Sequence, residues 1–148
     1  MSVHIESPLG FTADFPEYTQ VLEDSTAGPN SEQYGLLGDV LVTVIKDDTS
    51  VQDAPQANGW AHLMAEFYLE ERKGTLLAEG ELNIPGRSAY AVLVGYTDSH
   101  GSAKVASTVG TWEDGRFIGI VVIWPYVNPE VEPRMDLLKE IVSAIKPA

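Results

Sequence analysis

Residues 116–130, RFIGIVVIWPYVNPE, decide the fold. They start as one arm of a hairpin, turn apolar on both faces, and break at Pro125 and again at Asn128-Pro129. The arm follows Asp114-Gly115, a pair suited to the two left-handed positions of a tight hairpin turn. AKVASTVGTWE, 103–113, supplies the other arm, so Trp112 and Phe117 bracket the turn and can pair across it. Val121–Trp124 therefore reads as the last strand of a sheet covered on both sides. Beyond it, Asn128 reads as a helix N-cap, with Pro129 at N1 and Glu130 in the first turn. Val131, Met135, Leu138, Ile141, Val142 and Ile145 make that helix's apolar stripe, and Lys146-Pro147-Ala148 ends it.

Working outward, GRSAYAVLVGYT, 86–97, alternates Tyr90, Val92, Val94 and Tyr96 with the smaller Ala89, Ala91 and Leu93. The smaller face is expected to let a helix approach closely. DSHG, 98–101, is a turn, and Leu82 and Ile84 place a strand over ELNIP, 81–85. GWAHLMAEFYLEERKG, 59–74, has helical spacing: Trp60, Leu63, Met64 and Phe67 share the apolar stripe, with His62, Glu66 and Leu69 roughly opposite. Lys73 suits its last turn and Gly74 its C′ position.

In the first half, Val3–Ser7 and Phe11–Phe15 form a strand pair, with Phe11, Ala13 and Phe15 on the dry face. YTQVLED, 18–24, continues as a strand and STAGPNSE, 25–32, is a loop. DVLVTVIK, 39–46, is apolar on both faces. The order strands, helix, strands, helix gives an α+β fold: an α/β/α sandwich, a mainly antiparallel sheet with a helix on each face.

The bulk composition bounds function. A chain of 148 residues, 44% hydrophobic, is one domain over 1–148 with a real core. Net charge of -13 argues against nucleic acid and anionic membranes, and for solubility or a basic partner. With no cysteine, disulfides, thiolate metal sites and cysteine nucleophiles are excluded. No membrane span and no signal peptide are read, which places the chain as written in the cytoplasm, or outside it if a leader is missing.

The opening SPLGFTADFP, the helix after it, the Gly86…Ala89 strand and the closing GRFIGIVVIWP before a terminal helix resemble the PsbP-like superfamily over nearly the whole chain. That group includes the photosystem II PsbP subunit, a Ran-binding nuclear-import factor and many bacterial proteins of unassigned function. The resemblance implies the sandwich above and a binding or assembly role without cofactor. No residue carries over a Ran-binding or photosystem role.

The chemistry-bearing residues are sparse. Asp98, Ser99, His100 and Ser102 are neighbours on a turn, with no nucleophile elbow, and read as turn formers. His62 and Glu66, four apart on a helix, have metal-ligand spacing but no second cluster. Glu70 and Glu71 beside Arg72 and Lys73 read as surface charge. Gly35 and Gly38 lack the rest of a phosphate loop. The expected function is a non-enzymatic module binding a protein or small ligand near Trp124, Tyr126, Asp47 and Asp48. Of these, Trp124 is placed in the core and Tyr126, past Pro125, at the surface. Two alternatives stand beside it: an adaptor or chaperone for a secreted effector, as in type VI secretion, and a metal-dependent enzyme using His62 and Glu66, or His100.

Overall fold

The computed structural model describes residues 2–22, 30–46, 51–127 and 134–148. The strands are β1 (Val3–Ser7), β2 (Phe11–Phe15), β3 (Gln20–Leu22), β4 (Ser31–Leu36), β5 (Val40–Ile45), β6 (Thr75–Glu81), β7 (Ser88–Thr97), β8 (Ala103–Glu113), β9 (Arg116–Pro125) and β10 (Ile145–Pro147). The helices are α1 (Ala54–Glu66), continued by a π-helical turn over Phe67–Glu71, and α2 (Met135–Ala144). The fold is α+β. Seven strands form one antiparallel sheet in the order β3-β4-β5-β9-β8-β7-β6, and β1-β2-β10 form a second, also antiparallel. No helix among the described residues is long and apolar enough to cross a membrane.

The hairpin that anchors the large sheet forms as its turn chemistry dictates. Asp114 and Gly115 take φ of 49° and 76°, and Trp112 pairs with Phe117. Gly38 and Asp39, at 84° and 60°, make the equivalent turn between β4 and β5. Strand β4 corrects the expected loop over 25–32, because Ser31 and Glu32 pair with Ile45 and Val44. Strand β6 starts earlier than ELNIP: Leu82 and Ile84 lie past its end, yet both are buried.

Helix α1 also starts earlier than expected, at Ala54. Asp53 caps it, accepting from the Gln56 amide at 2.8 Å, and Pro55 occupies the first turn. Its packing face is a correction. Ala57, Ala61 and Ala65 are buried, while Leu63 is 65% and Phe67 47% exposed. The cause lies on the sheet. A β-carbon on Gly110 would fall 2.0 Å from the Ala57 carbonyl oxygen, and one on Gly119 2.4 Å from the Trp60 ring. The helix backbone sits so close that only alanine fits beneath it, and larger side chains move to the flanks. Thr108 Oγ1 donates to the Ala61 carbonyl at 2.7 Å and ties the two layers together. This interface uses the Tyr90, Val92 and Val94 face of β7, not the smaller Ala89 and Ala91 face. The left-handed residue after the helix is Lys73, φ 53°, not Gly74. Gly74 is needed for space: a β-carbon there would lie 2.6 Å from Val94 Cγ1.

Leu138, Ile141 and Val142 of α2 join Phe11, Ala13 and Phe15 of β2 with Ala91, Leu93, Val109, Ile120 and Trp124 in the main core. Arg134 takes the N-cap of α2; the expected cap at Asn128-Pro129, with Glu130 and Val131, lies outside the described residues. Ile145 leaves the expected helical stripe, because Ile145–Pro147 adds to β2 as a third strand. Glu32 on β4 accepts from Ser7 on β1 at 2.8 Å and from the buried Tyr34 hydroxyl, and so bridges the two sheets.

Candidate functional site

Strand β9 carries Trp124 and Tyr126 into different environments. Trp124 pairs with Val105 and is fully buried in the main core. It presents no surface to a ligand. Tyr126 lies past Pro125, where its amide still donates to the Ala103 carbonyl at 2.9 Å. It is partly buried, and one edge of its ring looks onto a groove. Asp47 and Asp48 lie outside the described residues.

That groove, about 640 Å³, is formed by the start of β6, the end of β7 and the segment after α1. Gly95 is its floor. A β-carbon there would lie 3.4 Å from both Leu77 methyls and from Tyr126 Cε2, so Leu77 and Tyr126 close in over Gly95 and leave room for about one methyl. Arg72, Lys73, Thr75 and Thr97 line its rim. The π-helical turn holds the two cations there. Its last residues are fastened by the Arg72 amide to the Phe67 carbonyl and the Gly74 amide to the Tyr68 carbonyl at 2.9 Å. π-Helical turns are uncommon and recur at functional sites. Arg72 stacks 5.5 Å over the Phe67 ring, and Tyr68 packs on Tyr96 at 5.0 Å. Burial, with smaller contributions from Tyr68 and Asp98, pushes the Tyr96 phenol up to about 12, so it stays a neutral donor.

The residues considered for catalysis are spread apart. Asp98 Oδ1 accepts from the backbone amides of His100 and Ser102, at 2.9 Å each, and those amides hold its carboxyl below the usual range. It orders a turn rather than orienting the His100 ring. His62 lies 3.5 Å from Glu79 on β6 and packs on Tyr90 at 5.2 Å. Among the described residues no three His, Asp or Glu side chains are grouped to hold a metal.

Sequence reasoning reached Tyr126 but missed Gly95, Leu77, Arg72 and Lys73 as its neighbours. One signal was present: a lone glycine inside the apolar run of β7 marks a close approach.

No protein-family model matches the chain, and no curated protein matches it. Solved structures do. Cyanobacterial PsbP from Synechocystis sp. PCC 6803 is similar over 99% of this chain and 92% of its own, with a TM-score of 0.63 and 13% identity. The Ran-binding protein Mog1p of Saccharomyces cerevisiae is similar over 99% and 95%, with a TM-score of 0.65 and 12% identity. A Pseudomonas aeruginosa protein of unknown function is similar over 99% and 97%, with a TM-score of 0.53 and 12% identity. At such identities the likeness is one of fold. PsbP and Mog1p therefore share this chain's fold.

Proposed function

We propose that the chain is a non-enzymatic binding module of the PsbP-like type, an α/β/α sandwich that docks a protein partner in the groove over Gly95. The observation that carries this reading is the groove itself. An apolar floor and walls at Gly95, Leu77 and Tyr126 are rimmed by polar and charged side chains that project from rigid elements. Sandwich folds of this kind place such surfaces at strand ends, where loops can vary without disturbing the core. A neighbour of similar fold is described as Ran-binding, which supports protein docking as a use of the scaffold.

The test is affinity capture from source-cell extract with the wild-type chain and Gly95→Val side by side. The γ-methyls of valine must displace Leu77 and Tyr126 and so reshape the groove, while the sheet's β-propensity is kept. A partner held by the wild type and released by a folded Gly95→Val supports the reading. Equal retention by both proteins places binding elsewhere and sinks it.

A further inference from the structure

We propose that the free edge of β3 is a second docking surface, at the opposite edge of the large sheet from the groove over Gly95. Its occupant is an extended, basic segment of a partner protein. The segment pairs with β3 and seats one phenylalanine-sized side chain between Tyr18 and Leu37.

Two turns at this corner carry residues at odds with their geometry. The Thr19 amide donates to the Pro16 carbonyl at 3.3 Å, closing a turn whose third residue, Tyr18, has φ of 71°. That is the type II pattern, and its third position suits glycine or asparagine. An aromatic residue there is strained, and strain of this kind collects where a ligand is gripped. The ring gains no core packing in return, since Tyr18 is 69% exposed. At the turn between β4 and β5, Leu37 is 70% exposed in a place that polar residues normally take. Tyr18 and Leu37 line one pocket of about 430 Å³.

The pocket has room. Gly35 lines it, and a β-carbon there would meet nothing nearer than the Leu22 methyls at 3.9 Å. Gln20 and Leu41 are the partners of Gly35 across the ladders and share its face of the sheet. The edge beside the pocket is unguarded. Strand β3 is outermost in the large sheet, so among the described residues the outward N–H and C=O groups of its alternate residues have no strand to bond. The opposite edge, β6, is defended by a register shift between Leu76 and Ala78 and by Glu79 and Glu81. Gln20-Val21-Leu22 has no charge, proline or bulge, and its shortness is its one defence. An added strand would lie about 4.8 Å beyond β3, so its side chain must reach across the exposed Gln20 to cover Gly35. Phenylalanine is long enough and alanine is not.

Charge selects the occupant. Among the described residues Asp39 is the one charged residue lining the pocket, and the net charge of -13 draws a cationic partner. A second copy would bring the same -13 to the interface. A three-residue strand paired with its own copy also buries little of the roughly 1,200 Å² that a stable interface needs. In a strand-addition complex the main-chain hydrogen bonds supply affinity and the pocket supplies selectivity.

The experiment is a titration of the ¹⁵N-labelled full chain with a nine-residue peptide of threonine and lysine around a central phenylalanine. Three controls replace the phenylalanine by alanine, replace the lysines by glutamate, or N-methylate alternate backbone amides. The expected result is that the parent peptide shifts the amides of Gln20, Val21, Gly35 and Gly38, and that each control binds at least about tenfold more weakly. Tyr18→Gly should unfold at higher urea, because its turn is relieved, yet lose at least about tenfold in affinity. If that variant does not fold, Leu37→Ser takes its place for the affinity. Equal binding by the N-methylated or alanine peptide, or by the variant, overturns the strand-and-pocket mode, and equal binding by the glutamate peptide overturns the basic partner. Shifts at Leu77, Gly95 and Tyr126 instead overturn this surface and support the groove proposed above. Amides of β3 that move with protein concentration alone overturn it in favour of a second copy, and no shift at all overturns it outright.

Discussion

Gly110 on β8 and Ala57 on α1 are in contact backbone to backbone, with no room for a single methyl between them. The same closeness makes the next alanines, Ala61 and Ala65, the buried face of the helix. Gly110→Ala is therefore expected to cost about 3 kcal/mol, because the obstacle is a carbonyl rather than a movable side chain. Gly59 has open space around its β position, and Gly59→Ala should gain about 1 kcal/mol from helix propensity. Urea unfolding of both variants measures the contrast. Equal effects would mean that the helix is free to lift off the sheet.

Trp124 and Tyr126 are two residues apart and differ in what they hold together. Trp124→Ala should cost about 4 kcal/mol, the range for emptying a fully buried tryptophan site. Tyr126→Ala, at the groove wall, should cost about 1 kcal/mol. Thermal unfolding monitored by far-UV circular dichroism compares the two. A larger loss at Tyr126 would reverse the assignment of core and rim.

Arg87 is nearly enclosed, with its side chain only 3% exposed, and burial lowers its affinity for a proton despite the nearby Glu113. Its Nη1 donates to the Val142 carbonyl in the last turn of α2 at 2.9 Å. A cation at a helix C-terminus also complements the dipole. Arg87→Met keeps much of the volume and removes the donor. The expected loss is about 2 kcal/mol, read from the denaturant midpoint, and a neutral result would show that the carbonyl finds another donor.

His4 Nδ1 lies 2.7 Å from Asp14 Oδ1, with Glu6 at 3.6 Å from Nε2. The hydrogen bond to Asp14 is the main cause that raises the imidazole above its ordinary 6.5. A raised folded value means that the contribution is full below about pH 6.5 and is lost as pH climbs through the folded value. The drop in Tm between pH 6 and pH 8 should shrink in His4→Gln. An unchanged drop would show that this exposed pair contributes nothing.

Most of the sheet was legible where chemistry is local. Asp114-Gly115 named a hairpin, and Phe11, Ala13 and Phe15 named a buried face. The packing face of α1 was not legible, because an apolar stripe is read on the helix alone. What selected Ala57 over Leu63 was the absence of side chains at Gly110 and Gly119, some fifty or more residues away in sequence. Strand β10 was hidden for a different reason: three residues, one of them Pro147, show no period, and only their pairing with β2 makes them a strand. Tyr126 stood out in the sequence because Pro125 breaks the strand beside it, and it borders the groove. Gly95, Leu77, Arg72 and Lys73 come together from three elements, and no spacing within one of them announces the groove.

The junction of β5 with β9 divides the large sheet into halves of different history. On one side, β6 to β9 follow one another as a meander. Across the junction, Leu41 meets Ile123 and Val44 meets Ile120, partners roughly eighty residues apart along the chain. Contacts of that separation carry a larger closing entropy than the meander's and repay it later, so the meander should be formed in the folding transition state and the junction not. Val109→Ala should then slow folding, while Val42→Ala should leave the folding rate alone and speed unfolding, each visible as one moved limb of a chevron plot.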